Sequence, residues 1–174
     1  MRSKNQLRII SGEFGGRLID APKTAATHPM GDRERQAIFN QIRSEIPGSR
    51  VLDAFAGSGA LGIEALSLGA DTVDFLENNP EAIKTIRKNI LKLNPKQATR
   101  IIKTTTKGYD LIFADPPYDK PQYGLVEKIA GLLEPGGILV LSHPDDPQPP
   151  MFRALSIVSD RKYAAANIKI YRKN

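Results

Sequence analysis

The chain has 174 residues, of which 40% are hydrophobic and 25% charged, as in one ordinary globular domain rather than a disordered or fibrous protein. It contains no cysteine, which excludes disulfides and thiolate metal sites, and its two histidines, His28 and His143, lack ligand spacing, so we expect no metal. The formal net charge of +6 favours a polyanionic partner such as nucleic acid, although a merely basic surface would give the same value.

The sequence gives no sign of membrane association. No apolar run approaches the roughly 20 residues that span a bilayer, and the N-terminus lacks the apolar core of a signal peptide. Together with the absence of cysteine, this predicts a cytoplasmic protein. No obvious interface stretch argues against a monomer, which is the state that we expect.

The N-terminal segment is predicted to form a basic β-hairpin. Residues 7–20, LRIISGEFGGRLID, suggest two short strands about the turn GEFGG. After a breaker-rich loop, DRERQAIFNQIRSEI has the apolar spacing of a helix, with Asp32 as its expected cap. We therefore divide the chain into an extension, residues 1–30, and a larger unit, residues 31–174. Basic side chains cluster in the extension: Arg2, Lys4, Arg8, Arg17 and Lys23.

From residue 50 onward, strand and helix patterns alternate. The expected strands are RVLDAFA, TVDFLEN, TRIIKTT, YDLIFADPP and ILVLSH, and the helices between them are ALGIEALSLG, PEAIKTIRKNILKLN and YGLVEKIAGLL. The tail, RALSIVSDRKYAAANIKIYRK, predicts an antiparallel hairpin at the sheet edge. This order predicts an α/β fold with a doubly wound, mostly parallel sheet, whose ligand site lies at the carboxyl ends of the strands.

The segment VLDAFAGSGALG carries a glycine fingerprint. Gly57, Gly59 and Gly62 match G-x-G-x-x-G where a strand turns into a helix. Glu77 ends the next strand about 20 residues later, where a carboxylate can accept from ribose hydroxyls. Asp53 would repel a pyrophosphate and therefore favours a cofactor with a cationic amino group and a sulfonium over NAD. Each of these residues also has an alternative role without a cofactor. The glycines would allow tight strand–helix packing, Asp53 would be a turn or capping residue, and Glu77 would be a solvated carboxylate.

The segment YDLIFADPPYDKP ends a strand in an acidic proline corner. Prolines cannot donate to a sheet ladder, so this ending favours function over stability. Asp115 and the Pro116 carbonyl could accept the two N–H hydrogens of an exocyclic amino group, with Pro117 helping to fix the geometry. Tyr118 offers a face on which an extruded base can stack. The alternative is a proline turn with Tyr118 in the core.

Together these residues resemble the Rossmann-like S-adenosylmethionine-dependent methyltransferases with an (N/D)-P-P-(Y/F) motif. More narrowly, the chain is similar to the RsmD-type 16S rRNA guanine-N2 methyltransferases. The glycine and D-P-P-Y motifs carry only the broad resemblance, whereas LRIISGEFGGRLIDAP and DRERQAIFN carry the narrow one.

The resemblance implies a role for each motif. S-adenosylmethionine would be bound by Asp53, Phe55, Ala56, Gly57, Ser58, Gly59, Glu77 and Asn78. The target guanine amino group would be held by Asp115, Pro116, Pro117 and Tyr118. The segment THPMGDRERQAIFN would close over the cofactor. The basic hairpin would help to bind 16S rRNA or an assembling small ribosomal subunit.

The chain departs from the family pattern in two places. It has HPM where the family usually has R-P-T, and its segment RIIKTTTKGYDL lacks the G-D-A-type residues and the helix expected before the fourth strand. The acidic residue expected near the adenine is therefore absent, and Thr104, Thr105 and Thr106 are candidates to replace it.

Other functions remain open. D-P-P-Y is compatible with methylation of adenine N6, and related enzymes methylate a protein glutamine. The shortened segment favours a non-catalytic RNA-binding assembly factor. An NAD oxidoreductase is the weakest alternative, because no histidine or lysine beside the fingerprint is placed as a proton donor.

Overall fold

The computed structural model describes residues 5–23, 30–105, 108–163 and 167–174. The predicted N-terminal hairpin is present: β1 (Gln6–Arg8) pairs antiparallel with β2 (Leu18–Asp20). Arg2 and Lys4, together with the Thr27-His28-Pro29 part of the expected cofactor-closing segment, lie outside the described residues.

The first helix, α1 (Asp32–Ile42), continues into a 3-10 turn at Arg43–Glu45. The expectation that Asp32 caps this helix is wrong. Gly31 occupies the capping position, and Asp32 is the first helical residue. Its carboxylate instead accepts a 2.9 Å hydrogen bond from the Arg35 guanidinium one turn later.

The remaining elements alternate as predicted from the sequence. They are β3 (Arg50–Ala54), α2 (Ala60–Ser67), β4 (Thr72–Leu76), α3 (Pro80–Leu93), β5 (Ala98–Ile102), β6 (Tyr109–Ala114), α4 (Tyr123–Ala130), β7 (Leu133–His143), β8 (Leu155–Lys162) and β9 (Asn167–Lys173). The strand β7 begins earlier than expected, because Glu134 to Gly137 extend it across a register shift instead of ending the preceding helix.

Seven strands form one sheet in the order β5-β4-β3-β6-β7-β9-β8. The first five are mutually parallel, whereas β9 pairs antiparallel with both β7 and β8. This confirms the predicted mostly parallel sheet with an antiparallel C-terminal hairpin. The carboxyl ends of β3 and β6 are neighbours, so the residues that follow them can form one site.

Helices cover both faces of the sheet. On one face, α1, α2 and α3 pack against the alternate residues of the central strands, including Phe39 against Phe113 with ring centroids 5.4 Å apart. On the other face, α4 packs through Val126 and Ile129 against β6 and β7. Among the described residues, no helix is long and apolar enough to cross a membrane.

The N-terminal hairpin is docked into the same core. Leu7, Ile9, Phe14 and Ile19 are buried together with side chains of α1, α2 and α3. Buried polar groups of α2 fix the turn: Glu64 accepts from the N–H groups of residues 10 and 11, and the Ser67 hydroxyl accepts from that of Phe14. Because these polar groups are paired inside the protein, the hairpin has a fixed position beside the glycine turn.

The connection between β5 and β6 contains only residues 103–108, whereas a crossover between parallel strands usually needs a dozen or more. Within the described part of the chain, no helix lies between these strands. Buried polar contacts occupy the sheet there: the Asp74 carboxylate accepts from Arg100 Nε at 2.7 Å and from the Tyr109 hydroxyl at 2.7 Å. A hydrogen-bonded polar cluster thus joins β4, β5 and the start of β6.

Candidate functional site

Two neighbouring strands bring the main candidate carboxylates together. Asp53 is the fourth residue of β3, and Asp115 directly follows β6. Since Ala54 lies opposite Ala114 in the parallel register, Asp53 and Asp115 project to the same face of the sheet, two residue levels apart. The first turn after β3 runs beside both.

The glycine turn has the left-handed backbone that its sequence suggests. Phe55, Gly57 and Gly59 have φ values of 61°, 55° and 77°. Gly62 has a different role, because a Cβ there would lie 2.5 Å from the Phe75 ring. For Gly62, therefore, the packing interpretation of the motif is correct, while Gly57 and Gly59 shape the loop.

Asp53 is buried, with an exposed fraction of 1%. Its carboxylate accepts a 2.8 Å hydrogen bond from the Gly62 N–H at the start of α2. Burial, with smaller repulsion from Asp115 and Glu77, raises the pKa of Asp53 to about 8 despite that hydrogen bond. A cationic group in the pocket would favour the ionised form and offset this cost.

Glu77 braces the turn from the end of β4. One carboxylate oxygen accepts from the Gly57 N–H at 2.8 Å, and the other accepts from the Asn78 and Asn79 N–H groups at 2.8 Å each. Each oxygen has further lone-pair capacity. Glu77 can therefore accept from a ligand hydroxyl while it holds the loop, and the exposed Asn78 contributes its backbone to this arrangement.

A pocket forms between the glycine turn, the hairpin and α1. The predicted residues that line it are Asp53, Phe55, Ala56, Gly57, Ser58 and Asp115. Sequence reasoning missed the hairpin side of this wall, which consists of Leu7, Ala21 and Pro22. Of the segment expected to close over the cofactor, Met30 and Arg35 line the pocket. Several predicted residues lie around it and not in its wall: Gly59, Glu77, Asn78, Pro116, Pro117 and Tyr118.

Arg35 holds this wall in place. Its side chain is buried, and its guanidinium donates to the carbonyls of Met30 and Arg8 at 3.0 and 2.6 Å. One arginine therefore ties the hairpin to the residues before α1. The sequence signal was present, since an arginine at an otherwise apolar helix position must find several acceptors.

The acidic proline corner lies at the end of β6. Burial raises the pKa of Asp115 to about 6, and a hydrogen bond from Ser142 opposes that rise. Pro116 is buried, and the Pro117 carbonyl accepts from the Lys120 N–H at 3.2 Å in the following turn. Tyr118 keeps 37% of its surface exposed. A carboxylate that ionises below neutral pH thus adjoins an accessible aromatic face.

Ser142 was not predicted as a site residue. It is buried near the end of β7, and its hydroxyl lies 2.5 Å from the Tyr118 hydroxyl. The signal available in the sequence was a serine that interrupts the apolar run ILVL at a strand end. Only the pairing of β6 with β7 shows which residues it joins.

Asn89 is another residue that sequence reasoning missed. It is fully buried on α3, where its side chain donates to the carbonyls of Asp20 and Ser58 at 2.9 and 3.0 Å. Its amide oxygen accepts from the Asp20 N–H at 2.8 Å. A single side chain therefore connects the hairpin to the glycine turn.

Three of the predicted basic residues are described by the structure, and they lie on the hairpin or directly after it. Arg8 and Lys23 are exposed. The exposed Arg17 donates to the Lys92 and Leu93 carbonyls at the end of α3 and lies over the Phe14 ring, 5.8 Å from its centroid. The outer face of α3 adds cations that were not predicted: Lys84, Arg87, Lys88 and Lys92.

Two further expectations concern the adenine contacts and a metal site. Thr104 is exposed and Thr105 half-buried, while Thr106 lies outside the described residues, so adenine contacts from this segment stay a prediction. In the described ranges, no group of three or more His, Asp or Glu side chains is arranged to hold a metal ion.

Comparisons of sequence identify the relatives of the chain. A family profile described as "Conserved hypothetical protein 95" matches residues 7–172. The chain is 39% identical over 142 residues to "Ribosomal RNA small subunit methyltransferase D" of Buchnera aphidicola, covering 76% of this chain and 72% of that protein. It is 33% identical over 183 residues to the YlbH protein of Bacillus subtilis, covering 96% and 99%.

Among solved structures, the yhhF protein of Escherichia coli superposes with a TM-score of 0.83 at 26% identity, covering 97% of this chain and 98% of that one. The alignment with YlbH is longer than the 174 residues of this chain, so the relative has residues that this chain lacks. The connection between β5 and β6 is the place where the sequence suggests such a loss.

Proposed function

The chain belongs to the family described as conserved hypothetical protein 95 and is an RsmD-type rRNA methyltransferase, and from this premise we propose that it methylates the exocyclic N2 amino group of a guanine in 16S rRNA. The methyl donor is S-adenosylmethionine. The observation that carries the proposal is the pocket in which Asp53 and Asp115 adjoin the glycine turn, beside the exposed ring of Tyr118.

The residues of the pocket fit this donor. Asp53 is desolvated and lies near Asp115 and Glu77, so a cationic ligand would be attracted to the pocket and would favour the ionised form of Asp53. The apolar wall of Phe55 and Ala56 could contact uncharged parts of the ligand. When bound there, S-adenosylmethionine supplies an electrophilic methyl group.

Asp115 prepares the acceptor. An exocyclic amino nitrogen is a weak nucleophile because its lone pair is delocalised into the ring. Asp115 and the Pro116 carbonyl accept its two N–H hydrogens and turn the lone pair toward the methyl carbon. Bound S-adenosylmethionine would supply the methyl group to this nitrogen, and Asp115 would accept the proton that the nitrogen loses on methylation. The protein's contribution is positioning and preorganised electrostatics.

The basic surface supports RNA as the substrate. The groove between the hairpin and α3 is lined by Lys23, Lys84 and Lys88, and Ala21 lines both this groove and the cofactor pocket. A phosphate backbone bound in the groove would therefore run close to the methyl-transfer site. Asp20 and Glu81 also line the groove, and Asp20 pairs with Lys88 at 2.6 Å. Lys23 and Lys84 form no ion pair with a carboxylate of the described residues and are therefore the expected phosphate contacts.

The test is transfer of a tritiated methyl group to 30S particles that lack the modification, followed by digestion to nucleosides. We expect N2-methylguanosine from the wild type and a loss of about 100-fold or more for Asp115→Ala. The matched control is Asp119→Ala, an exposed carboxylate in the same loop, which should retain activity. No transfer by the wild type, or equal transfer by Asp115→Ala, would disprove the proposal, and N6-methyladenosine would redirect it.

One observation favours a second candidate, a non-catalytic RNA-binding assembly factor. The six-residue connection between β5 and β6 leaves no room for the segment that would carry the acidic contact to adenine. Calorimetry with S-adenosylmethionine distinguishes the two candidates. No detectable binding at millimolar ligand favours the assembly factor, whereas binding that Asp53→Asn weakens favours the enzyme.

A further inference from the structure

We propose that Ser142 is a positioning residue that joins Tyr118 and Asp115 into one hydrogen-bonded unit, so that the stacking face and the carboxylate meet the target base in a fixed relative orientation. This inference rests on the proposed function and assigns a role to a residue outside the D-P-P-Y motif. The three residues come from two neighbouring strands, and their placement follows from the sheet register.

The register sets Ser142 beside Asp115. Ala114 lies opposite Leu141, so the next residue on each strand, Asp115 and Ser142, stand side by side and project to the same face. The Ser142 side chain is 2% exposed, so its hydroxyl must be satisfied within the protein. Its hydroxyl lies 2.5 Å from the Tyr118 hydroxyl, and the register places Asp115, directly after β6, beside it.

The hydrogen-bonding capacity of each group determines which group donates and which accepts. Ser142 has one hydrogen to donate, and an ionised Asp115 can only accept. In the proposed unit, Ser142 therefore donates to Asp115 and accepts from the Tyr118 hydroxyl, which lies 2.5 Å from the Ser142 hydroxyl. Tyr118 stays protonated for this role, because burial raises its pKa to about 12.

The arrangement has two consequences for the site. Tyr118 is partly exposed, and tethering its hydroxyl restricts a ring that would otherwise reorient before a base could stack. Ser142 also stabilises the ionised form of Asp115, the form that accepts a hydrogen from the amino group beside the Pro116 carbonyl. One buried hydroxyl thus acts on both halves of base recognition.

Asp115 titrates among several charged or titratable neighbours. Asp53 on β3 and Tyr118 on its own loop interact with it directly, and Arg35 on α1 lines the same pocket. Two further carboxylates act on these neighbours: Glu77 on Asp53 and Glu34 on Tyr118. Since the two Ser142 variants leave all of these groups in place, a change in the Asp115 titration in those variants reports on its bond from Ser142.

The first experiment needs no catalysis. The carboxylate of Asp115 is titrated by NMR in protein labelled with 13C-aspartate, and its signal is identified by its loss in Asp115→Asn. We expect Ser142→Ala to raise the pKa of Asp115 by about half a pH unit to one pH unit, because a hydrogen bond to the ionised form is lost. Ser142→Thr, which keeps the hydroxyl, should restore the wild-type value.

Tyr118→Phe is the matched control, because it removes the tyrosine hydroxyl but leaves the bond from Ser142 to Asp115. Its Asp115 titration should resemble that of the wild type. An unchanged titration in Ser142→Ala, or an equal change in Tyr118→Phe, would overturn the proposed chain of hydrogen bonds.

The second experiment measures methyl transfer against pH. Ser142→Ala should lower kcat/KM for RNA by about 10-fold and move the acid limb to higher pH, with the affinity for S-adenosylmethionine retained. Ser142→Thr should recover both values. A loss confined to protein stability, with the pH profile unmoved, would make Ser142 merely structural. If the wild type transfers no methyl group, the proposed function fails, while the NMR titration still decides whether Ser142 controls Asp115.

Discussion

At the scale of single residues, the site contains carboxylates that are unfavourable for the free protein. Asp53 has its pKa raised to about 8 and Asp115 to about 6, in both cases chiefly because of burial. A group designed only for stability would be exposed or paired with a cation. We interpret these raised pKa values as a free-energy cost in the ligand-free protein. A cationic ligand would offset the cost at Asp53, and the amino group of the substrate would offset it at Asp115.

Asp53→Asn separates stability from ligand binding. The folded pKa of Asp53 is about 8, against about 4 in the unfolded chain, so its contribution to stability is greatest below pH 4 and is lost as pH rises toward 8. The neutral amide can still accept from Gly62. In urea unfolding without ligand, the variant should therefore exceed the wild type by about 1–3 kcal/mol at pH 8 and by much less at pH 5.

The affinity of Asp53→Asn for S-adenosylmethionine, measured by calorimetry, should fall by at least about 10-fold. Asp110→Asn is a control that should lower the stability in urea unfolding, whereas Asp53→Asn should raise it. Arg50 lowers the pKa of Asp110, so the ionised carboxylate is the stabilising form there. Equal urea stability of Asp53→Asn and the wild type at pH 8 would contradict the assigned burial cost.

At the scale of secondary structure, the sequence predicts most of what positions the site. Alternating apolar strands and amphipathic helices predict the parallel sheet, and the glycine turn and proline corner identify the strand ends that matter. The cap of α1 was predicted wrongly at Asp32, because a glycine one residue earlier can fill the same position without a side-chain hydrogen bond.

Ser142 and Asn89 were not predicted as site residues, for a different reason. Each is one polar residue in an apolar pattern, and a pattern does not reveal the distant group that it meets. Asn89 lies on the buried stripe of α3 with Ala82, Ile86 and Leu93, where an amide signals an unidentified buried partner. Its partners are 31 and 69 residues away in the chain.

Asn89→Ala tests whether α3 couples the hairpin to the glycine turn. The substitution removes the amide's three hydrogen bonds and leaves the Asp20 and Ser58 backbone groups unsatisfied, which should cost about 1–3 kcal/mol in urea unfolding. Because Ser58 belongs to the glycine turn, calorimetry should also show weaker binding of S-adenosylmethionine.

Ser67→Ala is the matched control for Asn89→Ala. Ser67 anchors the hairpin through Phe14 and Ser11 but does not contact the glycine turn. It should lose comparable stability and retain ligand affinity. If both variants lose ligand affinity equally, the effect of Asn89 is general destabilisation and no specific coupling exists.

At the scale of the whole molecule, the charged surface and the reactive pocket meet at the hairpin. The hairpin shares its buried side chains with α1, α2 and α3, and Ala21 lines both the cofactor pocket and the basic groove. Although the sequence separates residues 1–30 as an extension, their described part contributes one wall of the pocket. A polyanion bound along the groove would therefore lie next to the proposed methyl-transfer site.

The basic face of α3 gives this arrangement its most direct test. Lys84 and Arg87 are exposed on the helix beside the groove, whereas Lys128 is exposed on α4, on the opposite face of the sheet. If Lys84 and Arg87 each contact a phosphate, the double variant Lys84→Gln/Arg87→Gln should release about two fewer counterions from 16S rRNA. The slope of log K against log salt concentration should then fall in magnitude by roughly 1.5–2, as measured by fluorescence anisotropy.

Lys128→Gln should leave the slope unchanged, and both proteins should bind S-adenosylmethionine like the wild type. Equal slopes for all three proteins would place the RNA elsewhere, because the loss of two phosphate contacts must appear in the salt dependence.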